Sequence, residues 1–192
     1  MNNAKLKKTT AGIRIILYVA SFLVLSVGLS LYFLSEKTDV YFSWTINPPM
    51  TAAFLGAGYL ASFLLEFLSA REKIWAKART AVPGVLAFTI LTSIVTLLHL
   101  DRFHFDSLVF ITLAGTWVWL FIYISVPIAL TILWVLQARQ PGIDPLREKP
   151  LPAWMRTTLI LQGLVMLFFG AAMLLIAKSG AYRPRIPEHA VH

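Results

Sequence analysis

The sequence predicts an all-α integral membrane protein, a bundle of five transmembrane helices with a cytoplasmic N-terminus and a C-terminus outside the cytoplasm. Apolar residues make up 58% of the 192-residue chain and its mean hydropathy is +0.73, whereas soluble domains are about 45–50% apolar. Five apolar runs are long enough to cross a hydrocarbon core, which requires about 20 helical residues. Basic residues are concentrated on alternate connections between these runs.

The spans are predicted at about 13–34, 50–70, 80–99, 108–136 and 156–177. A basic N-terminal segment, residues 1–12, precedes the first span. The second span follows Asn47, Pro48 and Pro49, and proline is favoured at the first position of a helix, with Asn47 as a cap. The third span follows a basic connection at 71–79.

The fourth span is the longest and contains Pro127, which lacks a backbone N–H, so we expect a kink there. The connection between the fourth and fifth spans is rich in proline and is predicted to be a loop. Residues 178–192, after the fifth span, are predicted to form an extracytoplasmic tail. Matched spacings, Arg14 to Gly28 and Arg156 to Gly170, suggest a repeat of the first span in the fifth.

Basic residues set the predicted orientation, because they are retained on the cytoplasmic side during insertion. Twelve of the 17 Lys and Arg residues precede the first span or lie in the second-to-third and fourth-to-fifth connections. The other five are Lys37, Arg102, Lys178, Arg183 and Arg185. The chain is therefore predicted to be a multi-pass membrane protein with its N-terminus in the cytoplasm. Its net charge of +8 reflects topology and attraction to anionic lipid rather than nucleic-acid binding.

Small residues recur along the second span. Ala53, Ala57 and Ala61 are spaced four residues apart, and Gly56 lies next to Ala57. Small side chains let helices approach closely in lipid. We therefore predict that these four residues form a helix-packing face, either within the chain or between two copies of it.

Tryptophans fall into two groups. Four lie near predicted span ends, where the amphipathic indole ring favours the interface; these are Trp44, Trp75, Trp134 and Trp154. Trp117 and Trp119 instead lie deep in the fourth span, where an indole N–H needs a partner. That partner could be a bound cofactor, a lipid or a hydroxyl group. The candidate hydroxyl groups are those of Ser93, Thr96, Thr112 and Thr116.

The connection between the third and fourth spans contains two imidazoles and two carboxylates within eight residues. His99, Asp101, His104 and Asp106 are suitable ligand types for zinc or another divalent cation. His99 could also be an axial ligand to a porphyrin, with Trp117 and Trp119 as further cofactor-binding residues. The alternatives are a ligand or partner contact, and a polar interfacial turn in which Arg102 pairs with one of the aspartates.

Glu66 is the one acidic residue clearly inside a predicted span, and an ionisable group in lipid is a functional candidate. It could couple the protein to a proton or another ion. Alternatively, it could extend toward the cytoplasm beside Arg71 or Lys73, because it lies about one turn from the inner end of its span. A proton path would need a second buried polar group in line, and the sequence does not reveal one.

Two stretches of the chain are distinctive: Trp-x-x-x-Pro-Pro-Met-Thr-Ala-x-Phe-Leu-Gly-Ala-Gly-Tyr-Leu at 44–60 and Leu-His-Leu-Asp-Arg-Phe-His at 98–104. They resemble a group of bacterial integral membrane proteins with no assigned activity. The resemblance covers roughly residues 15–135. It implies a multi-pass protein of the bacterial cytoplasmic membrane and supplies no catalytic residues.

The absence of cysteine excludes disulfides, thiolate catalysis and iron–sulfur clusters. We expect a non-enzymatic integral membrane protein. It would be either an accessory or structural subunit of a larger bacterial membrane complex, such as an energy-transducing complex, or a homo-oligomer. Its expected partners are the lipid bilayer and either other membrane subunits or a second copy. A small transporter or a cofactor-binding redox accessory protein is the alternative, and a sensor on the outer face is a further one.

Overall fold

The computed structural model describes residues 5–145 and 150–178. Among these residues five helices are long and apolar enough to cross a membrane, and no β-strand is present, which confirms the predicted fold class. The five are α1 (Ala11–Phe33), α3 (Pro49–Arg71), α5 (Ala81–Leu98), α6 (Phe110–Ala138) and α7 (Ala153–Lys178). Two short helices, α2 (Thr38–Tyr41) and α4 (Trp75–Ala78), lie in the connections.

The chain divides into two compact units. The first ends at Pro145 and contains α1 to α6; the second contains α7, a single apolar helix. Lys178 ends α7. The rest of the predicted tail, with Arg183 and Arg185, lies outside the described residues, as do Arg147 and Lys149.

Helix boundaries agree with the predicted spans to within three residues. Helix α3 begins at Pro49, where no N–H is needed. Its cap position is occupied by Pro48 rather than by the predicted Asn47, and the Thr51 N–H donates to the Pro48 carbonyl over 2.9 Å. Helix α6 continues through Pro127 as one element of 29 residues; the kink stays a prediction.

Two glycines bring the backbones of α1 and α3 into contact. A Cβ atom added to Gly56 would lie 2.7 Å from the Tyr32 nitrogen and 2.9 Å from the Gly28 carbonyl oxygen. A Cβ atom added to Gly28 would lie 3.1 Å from the Gly56 carbonyl oxygen. Only residues without a side chain allow helices to approach this closely.

Within the first unit, only part of the predicted packing face of α3 is buried, and packing between two copies through its exposed alanines stays a prediction. Gly56 is buried, but Ala53 is only half-buried, and Ala57 and Ala61 are exposed in the first unit. The buried positions of α3 include 52, 56, 59 and 66, which follow the helical period of 3.6 residues, whereas a strict step of four rotates away from that face. The contact between α1 and α3 therefore depends on Gly56 rather than on the alanine series.

Buried apolar side chains form two clusters within the first unit. The larger one contains Trp75, which is only 5% exposed. The prediction that Trp75 is an interfacial residue is therefore wrong: its ring packs inside the protein. This cluster consists of Ile13, Leu17, Ala70, Trp75, Ala78, Val82, Val85, Leu86 and Leu130. The other consists of Leu31, Phe42, Ile46, Ala52, Tyr59, Trp119 and Tyr123.

Residues 5–10 form a strap across the end of the first unit where α1 and α5 begin and α3 and α6 end, which we call the basic end. The Lys7 N–H donates to the Ile143 carbonyl (3.0 Å) and the Thr9 N–H donates to the Lys73 carbonyl (2.9 Å). The sequence predicted this segment only as a basic N-terminus. The structure shows that its backbone joins the two connections at this end.

The Gln137 side chain and Gly142 hold the strap in place. Gln137 is fully buried; its Oε1 accepts the Thr10 N–H (2.7 Å) and its Nε2 donates to the Lys8 carbonyl (2.9 Å). Gly142 has a φ of +124°, and an added Cβ atom would lie 2.7 Å from the Lys7 Cα. Glycine is therefore required where the chain passes the strap.

Candidate functional site

The end opposite the basic end is closed by the connections 34–48 and 99–109, and we call it the aromatic end. His104 joins these two connections: its backbone N–H donates to the Ser43 carbonyl (2.9 Å). Its Nδ1 lies 2.9 Å from the Phe42 carbonyl and its Nε2 lies 3.1 Å from the Thr45 Oγ. A carbonyl can only accept, so Nδ1 carries the proton and Nε2 accepts from Thr45. Both ring nitrogens are therefore occupied by structural hydrogen bonds.

The structure does not bring the predicted metal ligands together. His104 has no nitrogen left for a metal, and Asp101 pairs with Arg102, Oδ2 to Nε, over 3.0 Å. Within residues 5–145 and 150–178, no three His, Asp or Glu side chains form a group that could hold a metal ion. The metal site predicted at His99, Asp101, His104 and Asp106 is thus corrected to a polar turn that joins two connections.

The two deep tryptophans have different surroundings. Trp119 is 6% exposed, and its indole N–H donates to the Thr96 hydroxyl over 3.2 Å, one of the partners that the sequence suggested. Trp117 is 56% exposed and contacts Phe105 edge to face. Trp117 lies on the exposed face of α6 in the first unit, so it is not part of an internal site of that unit.

A cavity of about 560 Å³, which we call the large cavity, lies between α3 and α5 at the aromatic end. Its walls are mostly apolar and aromatic, and they include Trp119 and Phe88. Gly58 of α3 faces open space here, since an added Cβ atom would meet no atom within 4 Å. Other lining residues are Tyr59, Ser62, Thr92, Thr96, His99 and Arg102.

His99 and Arg102 give the large cavity a polar mouth. The His99 Nδ1 lies 2.9 Å from the Val95 carbonyl, so Nδ1 carries the proton and Nε2 is left as an acceptor. Asp101 pairs with the Nε of Arg102, and no hydrogen bond joins the two terminal guanidinium nitrogens to another described residue, so they can act as donors. This end of the cavity suits a polar or anionic head group, whereas its walls suit an apolar body.

Glu66 does not extend toward basic residues at the basic end. Its side chain is buried, with 4% exposure, and its Oε2 has no hydrogen-bond partner among the described residues. The Nε of Arg14 donates instead to the Ala70 carbonyl (3.0 Å), and the guanidinium of Arg71 lies 5.9 Å from the centre of the Phe67 ring. The structure therefore contradicts the alternative in which Glu66 extends toward the cytoplasm beside Arg71 or Lys73, because its side chain is buried and no ion pair joins it to a described residue.

A second cavity, of about 60 Å³, adjoins Glu66 and is called the small cavity. Tyr59 and Tyr123 also line it, and their hydroxyl oxygens are 2.8 Å apart. The sequence analysis missed both tyrosines. The spacing of seven residues between Tyr59 and Glu66 could have indicated a shared helix face. No signal in the sequence relates Tyr123 to either of them.

Comparison with known proteins adds no relative. No protein-family model matches the chain, and neither a curated protein nor a solved structure is similar to it.

Proposed function

We propose that this chain is a non-enzymatic accessory protein of the bacterial cytoplasmic membrane that holds a small amphiphilic molecule in the large cavity. The observation that supports this proposal is the cavity itself, about 560 Å³ with apolar walls and a polar mouth. Sites for small molecules occupy roughly 300–1,000 Å³ and combine apolar walls with a few polar groups. The chain is a multi-pass membrane protein, so molecules dissolved in the bilayer can reach it.

The chemistry of the lining indicates the class of occupant. Aromatic walls at Trp44, Phe88 and Trp119 suit an apolar chain or ring system. Terminal guanidinium donors of Arg102 and the Nε2 of His99 suit a head group that is anionic or forms hydrogen bonds. A porphyrin bound axially by His99 is one member of this class, and a lipid or fatty acid is another.

Basic residues support an orientation with the N-terminus in the cytoplasm. Lys7, Lys73, Lys77 and Arg79 all lie in the strap and connections of the basic end, which belongs inside by the positive-inside rule. The large cavity then opens in the outer half of the bilayer. With five spans, the C-terminus lies outside the cytoplasm.

As an accessory protein, the chain would hold this molecule for a larger membrane complex or for a second copy of itself. Mild-detergent purification from native membranes, with mass spectrometry of everything that remains bound, identifies such a partner. An absorption spectrum of the same fraction separates a porphyrin from a colourless lipid. A lone protein without a bound molecule would favour transport or sensing instead.

Two glycine variants test occupancy of the large cavity. In Gly58→Leu, the new side chain enters the cavity without meeting the backbone. Gly84→Leu is the matched control, because Gly84 is exposed on α5, has open space around its added Cβ atom and does not line the cavity. We expect a stoichiometric small molecule in wild type and Gly84→Leu, and its loss from Gly58→Leu. Equal content in all three proteins, or none in wild type, would contradict the proposal.

A further inference from the structure

The position of Glu66 needs an explanation that the large cavity does not provide. A buried charge is costly unless it has a partner, and Oε2 of Glu66 is buried without one among the described residues. The small cavity lies directly against this side chain and has room for water. Glu66 is thus one of the residues that line a void inside the first unit.

The residues that line the small cavity together with Glu66 are uncharged. Arg14, a cation that the contacts place by this part of α3, donates to the Ala70 carbonyl. Helix α1 contributes only apolar side chains to the small cavity. Helix α3 contributes Tyr59, α6 contributes Tyr123 and Trp119, and α5 contributes Thr89. The Thr89 hydroxyl donates to carbonyls of its own helix, at 2.9 and 3.1 Å. Since no lining residue of the small cavity carries a positive charge, a bound proton is the simplest way to neutralise the Glu66 carboxylate.

The tyrosine pair connects the two cavities. Tyr59 lines both of them, and its hydroxyl group lies 2.8 Å from that of Tyr123. A phenolic hydroxyl group can donate one hydrogen bond and accept another, so two adjacent hydroxyl groups can transmit a proton. Tyr59 is therefore shared by the two cavities, and its hydroxyl partner Tyr123 lines the small cavity together with Glu66.

We propose that Glu66 is a proton-exchange site, reached from the large cavity through the hydroxyl pair of Tyr59 and Tyr123 and water in the small cavity. In each transfer, a hydroxyl group releases its proton to the next oxygen and receives one from the preceding oxygen. The tyrosines are unchanged at the end. The net step moves one proton from a hydronium ion at the large cavity to the Glu66 carboxylate, which leaves a water molecule and a neutral carboxyl group, and the reverse step returns the proton to water.

This inference does not depend on the amphiphile, because it concerns exchange of a proton with water. A metal cation is a poorer occupant, since hard cations such as Ca²⁺ and Mg²⁺ take about six or more oxygen ligands. The small cavity offers the Glu66 carboxylate and three hydroxyl groups among otherwise apolar side chains and the Trp119 indole.

Infrared spectroscopy of the full chain in lipid nanodiscs tests the site during a pH titration. A protonated carboxyl group has a C=O stretch separate from the amide bands. We expect a pH-dependent carboxyl band that Glu66→Gln lacks. Glu72→Gln is the control, because Glu72 lies at the end of α3 beside Lys77, partly exposed, and this variant should retain the band. Identical titrations of wild type and Glu66→Gln would overturn the proposal.

Isotope labelling of the wild-type protein gives a second test that does not depend on whether a variant folds. Wild-type protein that contains glutamate with a ¹³C carboxyl group should show the same band at lower frequency. An unshifted band would assign the signal to aspartate and overturn the proposal.

Deuterium exchange tests the route. After transfer to D₂O, Tyr59→Phe and Tyr123→Phe should each slow exchange at the Glu66 band by about tenfold, which corresponds to about 1.4 kcal/mol in the barrier. Tyr32→Phe is the control, because Tyr32 is half-exposed and lines neither cavity, and it should exchange at the wild-type rate. Wild-type exchange in both pair variants would overturn the route.

Discussion

Replacement of Gly56 by alanine should separate two helices whose backbones are in contact. The added methyl group would lie 2.7 Å from the Tyr32 nitrogen and 2.9 Å from the Gly28 carbonyl oxygen. Both are backbone atoms, so no side chain can rotate to make room. Overpacking of this kind costs about 1–3 kcal/mol. Alanine regains up to about 1 kcal/mol over glycine in helix propensity, which leaves a net loss of up to about 2 kcal/mol when the full gain applies.

A matched control separates the gain in helix propensity from the cost of overpacking. Gly58→Ala is the same substitution two residues further along α3, where the new Cβ atom meets nothing within 4 Å. This variant should equal or exceed wild type in stability. Gly28→Ala should fall between the two, because its shortest contact, 2.9 Å, is to the flexible Leu60 side chain.

Unfolding by SDS in mixed micelles, followed by circular dichroism, measures the free energy of unfolding of the three variants. We expect stability to decrease from Gly58→Ala to Gly28→Ala to Gly56→Ala. If Gly56→Ala and Gly58→Ala unfold at the same SDS fraction, the close contact of α1 and α3 is refuted. The order, rather than any single value, tests the reasoning.

Two further predictions address the deep indole and the strap. Trp119→Phe removes the hydrogen bond to Thr96 and part of a buried ring, and should lower the free energy of unfolding by about 1–3 kcal/mol. Trp117→Phe, on the exposed face of α6, should change the free energy of unfolding by less than about 0.5 kcal/mol. Equal losses in the SDS assay would argue against the different surroundings of the two rings. Gly142→Ala places a side chain at positive φ against Lys7, at a cost of about 1–3 kcal/mol. Trypsin should then cleave within the strap at least about fivefold faster, and an unchanged cleavage rate would contradict the role of Gly142.

The large features of the fold follow from the sequence, because a bilayer permits few solutions. Every backbone polar group in lipid must be satisfied within its own segment, so each long apolar run becomes a helix. The ends of α1, α3, α5, α6 and α7 are accordingly predicted to within three residues. Proline at the start of α3 is also a local signal, because it needs no neighbour to have its effect.

Side-chain surroundings are less predictable, because spacing along one helix does not specify the neighbouring helix. Trp75 resembles an interfacial residue in the sequence, yet it packs among side chains of α1 and α5. His104 resembles a metal ligand, yet its two nitrogens contact residues about 60 positions earlier in the chain. Each outcome depends on contacts between segments distant in sequence.

The sequence by itself determined that this protein is helical, that five helices can cross a membrane and that the indole of Trp119 needs a hydroxyl or other partner. Only the tertiary structure decided that Thr96 is that partner, that the Glu66 Oε2 has no hydrogen-bond partner among the described residues and that Tyr59 and Tyr123 meet beside the same cavity. The physical reason is that burial in lipid acts on each segment separately. Pairing of polar groups instead requires two segments to lie at a particular distance and rotation, and no single run of residues encodes that geometry.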